Sequence, residues 1–256
     1  MFSAQNMTSR FNEISANLDA IKDSLTKEST SIIGEVNRLT SDIAKLNIQI
    51  ANASGTGQAD NKALDLRAIR LNVLSKLVDI NTIYSNNNSV EVRIGNLVVV
   101  QHDRVFNVDA EIDSSNNAFR LRLNNGRTIK NVGGKLGSMI DSFETIMPDF
   151  KTKVDTLASN LVSKVNQIHV NGFNLNDTTG IEFFAPGGTT ASSIAVNSQI
   201  ADNVSLIAAS DTIGAPGNNT AARQIFTLLD SSNAVGHKSF IEYSLSIAAE
   251  TGFTIS

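Results

Sequence analysis

The chain has 256 residues, a formal net charge of −4, three histidines and no cysteine. That length exceeds the common single-domain size, and the missing cysteines exclude disulfides, thiolate metal sites and a cysteine nucleophile. An acidic balance without blocks of like charge argues against nucleic acid and against a basic membrane-surface helix, and 5% aromatic residues with no tryptophan suit long helices with thin cores better than a compact enzyme.

From Met7 to Ile50 the apolar residues Met7, Phe11, Ile14, Leu18, Ile21, Leu25, Ile32, Val36, Leu39, Ile43, Leu46 and Ile50 recur at steps of three and four, the spacing of a coiled-coil type seam. Only Leu25 to Ile32 breaks step, where successive fours from Ile21 through Leu25 to Ser29 insert a stutter that unwinds a supercoil or marks a helix break. About 44 helical residues would make a rod of roughly 65 Å, whose thin stripe needs partner helices from the same chain or from a second one. In-chain packing is the reading adopted, because partners of suitable length follow. Ala53-Ser-Gly-Thr-Gly-Gln58 reverses the chain. It is not a phosphate loop, because no strand precedes it and no Gly-Lys-Ser/Thr follows. Asp60 is the expected N-cap of a second helix that buries Leu64, Leu71, Leu74 and Val78.

Near Asp79 the period changes from 3.6 to 2. Val90, Val92 and Ile94 alternate with Ser89, Glu91 and Arg93, and Gly95-Asn96 forms a two-residue hairpin turn to Leu97–Gln101. Phe106, Val108, Ala110 and Ile112 alternate next, then Phe119, Leu121 and Leu123 before the turn Asn125-Gly126. Five or six short strands are expected, enough for a small antiparallel sheet or sandwich. Gly133-Gly134 returns the chain to helix. There Phe143, Ile146, Phe150, Val154, Leu157, Leu161, Val165 and Ile168 fall on one stripe, Pro148 kinks the helix or starts its second part, and Asn171-Gly172 provides a left-handed C-cap. Beyond Phe184 the composition turns to Ala, Ser, Thr, Asn and Gly. Asn219 or Thr220 is expected to cap a helix to Leu229, and a last helix over 238–250 would use Ile241, Leu245 and Ala248.

His102, His169 and His237 lie in separate segments with no His-Glu-x-x-His spacing, so no zinc site is expected. His169, one turn before a helix end, can satisfy carbonyls and favour the helix dipole. Asn174, Asn176, Asp177 and Thr178 hint at a calcium loop but lack its glycine and its closing glutamate. No serine elbow or paired carboxylates are readable. Accordingly no catalytic, cofactor-binding or metal residue is assigned, and the chain reads as a non-enzyme.

Two stretches carry a family resemblance. Gly134-Lys-Leu-Gly137, the run from Leu157 to His169, Gly172-Phe-Asn-Leu-Asn176 and Phe183-Phe184 resemble the flagellar hook-associated protein 1 family, whose long helix ends in "vN..H..G.dl.G..g..fF". Asn166, His169, Gly172, Leu175, Gly180, Phe183 and Phe184 match, whereas Asp177 stands where a glycine is usual. Ala63 to Ile80 is similar to a second helix of that family, and the likeness extends over roughly residues 7 to 230. The resemblance implies a structural subunit that joins the bacterial flagellar hook to its filament. Its implied partners are the hook protein and the next junction protein, with self-association into a ring. It also implies a place outside the cell on the flagellum, reached through the flagellar export apparatus without a cleaved signal peptide. The family's terminal helices are not seen, so the chain reads as an internal fragment that would by itself be a soluble, elongated monomer.

The expected fold is α+β: an elongated discontinuous helical bundle of residues 1–78 and 133–256, with an inserted antiparallel β domain over 79–132. The alternative function is an extracellular adhesin or receptor stalk with a coiled-coil rod and a β head. An adhesin should carry exposed aromatics or irregular recognition loops at its β tip, where this sequence has turns of Asn, Gly and Ser.

Overall fold

In the computed structural model of the chain, residues 1–255 are described, with side chains through Glu250. Packing divides them into two compact units, residues 21–148 and residues 1–20 with 149–256. Helix α1 (Phe2–Gly55) contributes to both and is unbroken at the stutter. Two steps of four keep Ser29 on the buried side, where its hydroxyl lies 4.0 Å from the Met139 sulfur. The seam is core only in its second half: Ile32, Val36, Leu39, Ile43 and Ile50 are buried, whereas Ile14 and Ile21 are 39% and 48% exposed. In the first half the fully buried positions are Thr8 and Ser15, while Met7 and Phe11 are half-buried against the cluster of Ala158, Val162 and Phe184, so the apolar stripe there is only partly covered.

In the 21–148 unit, Asp60 caps α2 (Asn61–Leu77) as predicted, accepting the Ala63 N–H at 3.0 Å. Leu71, Leu74 and Val78 are buried, Leu64 is half-buried, and the face is completed by Ala63 and Arg67. Strands β1 (Ile80–Tyr84), β2 (Val90–Ile94), β3 (Leu97–Gln101) and β4 (Arg104–Val105) form one antiparallel sheet in that order. Strands β5 (Val108–Asp113), β6 (Ala118–Leu123) and β7 (Thr128–Ile129) form another. The Gly95-Asn96 turn is present, with Ile94 paired to Leu97. Gly95 has φ 53°, and a Cβ there would lie 1.9 Å from the Lys130 carbonyl oxygen, so only glycine fits.

The buried residues of both sheets join those of α1, α2 and the returning helix in a single apolar cluster, from Leu39, Ile43 and Leu74 through Val92, Ile94 and Leu121 to Leu136 and Phe143. The division expected at 78/79 and 132/133 therefore differs from the one that packing produces. Each sheet has one apolar face, and the helical stripes are what cover it. Entry and exit of the strand segment do lie side by side, with the Asp79 N–H donating to the Val132 carbonyl at 3.0 Å.

Helix α3 (Gly134–Asp141) passes into a π-helical turn over Ser142–Ile146 and then α4 (Met147–His169). Pro148 has no N–H for the Glu144 carbonyl, and its ring would crowd that oxygen in a regular turn. The π turn, in which the Met147 N–H reaches back to Ser142, widens the backbone just ahead of it.

In the unit of residues 1–20 and 149–256, α4 has two apolar flanks instead of one stripe. Ala158, Val162 and Val165 pack with Phe184 and Ile194, while Leu157 and Leu161 are half-buried against Ala234, Val235 and Phe240. Short α5 (Ser198–Asp202), α6 (Thr220–Thr227) and α7 (Phe240–Ile255) follow. Asn219 is the N-cap residue of α6 as expected but makes no side-chain cap bond; the Asn218 side chain accepts the Thr220 N–H instead, at 2.8 Å. Helix α7 begins with a reciprocal box, Ser239 N–H to the Glu242 carboxylate and Glu242 N–H to the Ser239 hydroxyl. Its inner face is Phe240, Tyr243 and Ile247, whereas Ile241 and Leu245 are exposed.

Candidate functional site

The residues singled out around the end of α4 converge on one polar latch. Asn166 is buried on the inner side of the helix, and its amide brackets one residue of the following segment: Nδ2 donates to the Phe184 carbonyl at 3.0 Å and Oδ1 accepts the Phe184 N–H at 2.8 Å. Phe184 is thereby held as a strand neighbour would hold it, while the residues on either side of it pair antiparallel with 195–197 about the isolated Phe184–Val196 bridge.

One turn later His169, 1% exposed, ties two further segments. Its Nδ1 lies 2.7 Å from the Ile181 carbonyl, and its Nε2 accepts the Ala208 N–H at 2.9 Å. A carbonyl only accepts and an N–H only donates, so the ring is the neutral tautomer with its proton on Nδ1. Burial pushes its pKa below the ordinary 6.5, opposed in part by the hydrogen bond to Ile181. The expected role at the helix dipole is corrected by this arrangement, because a neutral ring adds no charge there. The Phe183 ring meets it edge-on at 5.4 Å and Phe184 at 5.0 Å.

The left-handed cap expected at Asn171-Gly172 is also absent: neither residue has a positive φ. Their N–H groups tighten the last turn by donating to Ile168 and His169 carbonyls, each at 3.2 Å. Gly172 is required by crowding, since a Cβ would sit 2.9 Å from the Ala208 Cβ and 3.2 Å from the Ala221 Cβ. Gly180 is the left-handed glycine, at φ 84°. Asp177, in the position where the resembled family has glycine, is left-handed too, at φ 55°, and its carboxylate accepts the Gly214 N–H at 2.9 Å. In the loop that hinted at calcium, Asn174 Oδ1 accepts the N–H groups of Asn176 and Thr178 and so closes the turn on itself. Beside this loop is a cavity of about 160 Å³ bounded by Phe173, Leu175, Ile207 and Pro216. Leu175 is 70% exposed.

The device at Asn166 is used twice more, at residues the sequence reading passed over. Asn37 on α1 brackets Val108 through both backbone groups at 2.8 Å. Asn47, ten residues on, brackets Val90 at 2.8 and 3.0 Å, donates also to the His102 carbonyl, and accepts from Arg67. Arg67 is buried among neutral partners, its guanidinium donating to Asn47 and to the Asn88 carbonyl and facing the Tyr84 ring at 5.6 Å. Desolvation lowers its pKa. Asparagine is a poor helix former, but α1 alone also carries Asn6, Asn12, Asn17 and Asn52, so a helical asparagine by itself did not single out these three.

These polar side chains hold backbone. The three histidines do not come together, and among the described residues no three His, Asp or Glu side chains are grouped so as to hold a metal ion. Among the described residues no helix is long and apolar enough to cross a membrane.

Residues 1–184 match the family model described as the flagellar hook-associated protein FlgK helical domain. Flagellar hook-associated protein 1 of Bacillus subtilis (strain 168) is 24% identical over 288 residues, covering 97% of this chain and 57% of that protein. The chain thus spans little more than half the length of that relative. The solved structure of the flagellar hook junction protein FlgK from Burkholderia pseudomallei superposes with a TM-score of 0.64 at 22% identity, over 72% of this chain and 35% of that one, a likeness of fold. The matched family stretch takes in α1, both sheets and the latch from Asn166 to Phe184, well over half of the chain. On that match, the chain belongs to the family of the flagellar hook-associated protein FlgK helical domain.

Proposed function

We propose that this chain is the scaffold part of a structural subunit at the junction between the flagellar hook and filament, with no catalytic role. The observation that carries the reading is the family match over residues 1–184, whose C-terminal end contains the latch residues. The chemistry agrees with construction: half-buried Asn37 and buried Asn47, Asn166 and His169 all have their polar atoms engaged with backbone groups of other segments. In this reading the whole protein contacts the hook protein on one side and the next junction protein on the other, self-associates into a ring, and works outside the cell after export without a cleaved signal peptide. Deleting the gene in its own bacterium tests this. The expected outcome is cells with hooks but no attached filaments, rescued by the intact gene; filaments in normal number on the deleted strain would overturn the reading.

A further inference from the structure

The chain contains two Asn-Gly pairs, Asn125-Gly126 and Asn171-Gly172. Their intrinsic chemistry is the same: a glycine nitrogen, with no side chain beside it, can attack the carboxamide of the asparagine before it. The fold sets the two pairs apart.

Asn171-Gly172 is closed to that reaction. The Asn171 Nδ2 donates to the Gln167 carbonyl at 2.7 Å, which turns the carboxamide back along α4 and away from the glycine ahead. Gly172 is buried, and its N–H donates to the His169 carbonyl at 3.2 Å. The next peptide is fixed as well, with the Phe173 N–H on the Ser210 carbonyl at 2.7 Å. The side chains of Ala208 and Ala221 already crowd Gly172, so a ring closing there has no room.

Asn125-Gly126 has the opposite setting. Both residues are exposed at the tip of the hairpin between β6 and β7. The Asn125 Oδ1 accepts the Arg127 N–H at 3.2 Å, which folds the carboxamide forward over the Gly126 peptide and polarises its carbonyl for attack. Among the described residues nothing accepts from the Asn125 Nδ2 group. Space is open too, since a Cβ on Gly126 would meet no atom within 4 Å. One bond opposes attack, from the Gly126 N–H to the Leu123 carbonyl at 2.8 Å. At a tip backed by a strand of two residues, that bond opens locally without disturbing the core.

We propose that Asn125 is a site of spontaneous modification, converted to aspartate and isoaspartate in the folded chain, while Asn171 is protected. The Gly126 nitrogen bonds to the Asn125 Cγ, the Cγ–Nδ2 bond breaks, and the glycine N–H proton leaves with Nδ2 as ammonia, which closes a succinimide. Water then opens the ring at either carbonyl. Both products add a negative charge, and isoaspartate also adds a methylene to the main chain. The turn closed by Leu123 N–H to the Arg127 carbonyl at 2.9 Å then no longer fits, and the pairing of Leu121 with Ile129 beyond it is the first to suffer. The site is independent of the junction reading.

Ageing the whole chain in warm, mildly alkaline buffer, folded or in guanidinium chloride, tests the proposal by peptide mass spectrometry. Trypsin releases Leu123–Arg127 and Val165–Arg223, and fragmentation locates the converted residue and identifies isoaspartate. In the folded chain Asn125 should convert about tenfold or more faster than Asn171, because Asn171-Gly172 must first open hydrogen bonds on both sides and its packing. In guanidinium chloride the two rates should converge. Asn125→Gln, whose longer side chain closes its ring far more slowly, should remove the acidic species that ion exchange separates from the aged wild type. Asn125 left intact in the folded chain overturns the proposal, as does Asn171 keeping pace with it. Rates that stay apart in denaturant assign the difference to neighbouring sequence and overturn the structural cause.

Discussion

In the unit of residues 21–148, Val90, Val92, Ile94, Leu121 and Leu123 close over Leu39, Ile43, Leu74 and Val78, and two sheets and three helices share that one apolar interior. In the unit of residues 1–20 and 149–256, the stretch from 170 to 219 holds only the short α5 and one 3-10 turn as helices. There the chain is fixed by side chains that reach for backbone: Asn166 to Phe184, His169 to Ile181 and Ala208, Asn12 to Ala191, Asp155 to the Ala191 N–H and Asn197 to Glu182. The difference has one cause. Strands pair each other's backbone groups in ladders, whereas an irregular segment under cover must find other partners for every N–H and C=O it buries. Both units have apolar clusters and bracketing asparagines, but in the second unit side-chain polar atoms also stand in for ladders along residues 170–219.

The largest expected effect breaks the first unit. Replacing residues 80–132 by a short Gly/Ser linker costs little in chain closure, because the ends already meet at Asp79 and Val132. Judged from sequence, the helices should survive it. The shared core reverses that expectation: without the strands Leu39, Ile43 and Leu74 face water, and the helices of this unit should lose cooperative melting. A deletion variant that keeps a wild-type cooperative transition by circular dichroism would mean that the helices have a core of their own.

The next effects remove one bracketing asparagine from each unit, Asn166 from the second and Asn47 from the first. Asn166→Leu leaves the buried Phe184 N–H and C=O without partners, at about 1–3 kcal/mol each, so a loss of about 2–6 kcal/mol is expected. Asn47→Leu should cost at least as much, since it also strips Arg67 of one of its two acceptors. Urea denaturation followed by fluorescence and circular dichroism measures both. A loss below about 1 kcal/mol for Asn166→Leu would show that water replaces the amide and that the latch is not what fixes Phe184.

Legibility in the sequence followed the same line between the units. Period-two alternation and the Gly95-Asn96 turn revealed β2 and β3 because a half-buried strand writes its faces directly into side-chain order. The α4 stripe was read correctly as helix and only in part as core: Leu157 and Leu161 are half-buried, and Ala158, Val162, Asn166 and His169 form the inner line. Hydrophobicity has no way to count Asn166 or His169 as interior, because their burial depends on backbone groups far along the chain. The boundary of the strand segment was visible at Gly133-Gly134, but which surface the sheets would cover was not, since periodicity reports a face and not its partner.

His169 sharpens the contrast through pH. Its pKa in the folded chain is below 6.5, so between that lowered value and 6.5 the unfolded chain binds more protons and stability rises with pH. The contribution is fully present above the unfolded pKa and is lost as pH falls from about 6.5 through the lowered folded value. Protonation would also put an Nε2 proton against the Ala208 N–H. The acid loss should fall on the unit containing the latch and disappear in His169→Gln, which cannot titrate. Equal acid sensitivity in that variant would assign the effect to carboxylates instead.

The smallest effect concerns Asp177, where the two ways of holding an irregular segment oppose each other. Its φ of 55° favours glycine, and relief of a non-glycine residue in that region is worth about 1 kcal/mol. Against this, glycine adds about 0.5–1 kcal/mol of unfolded-state entropy, and the substitution removes the acceptor for the Gly214 N–H. The sum leaves Asp177→Gly neutral to slightly destabilised, within about 1 kcal/mol. Asp177→Asn, which tolerates the same backbone and keeps an oxygen for Gly214, should match the wild type, and Asp177→Val should be the least stable because a β-branched side chain is strained there. Thermal melts of the three variants give the order. A glycine variant more stable than wild type by more than about 1 kcal/mol would mean that backbone strain outweighs the bond to Gly214, and that Asp177 costs the loop stability where it now adds a tether.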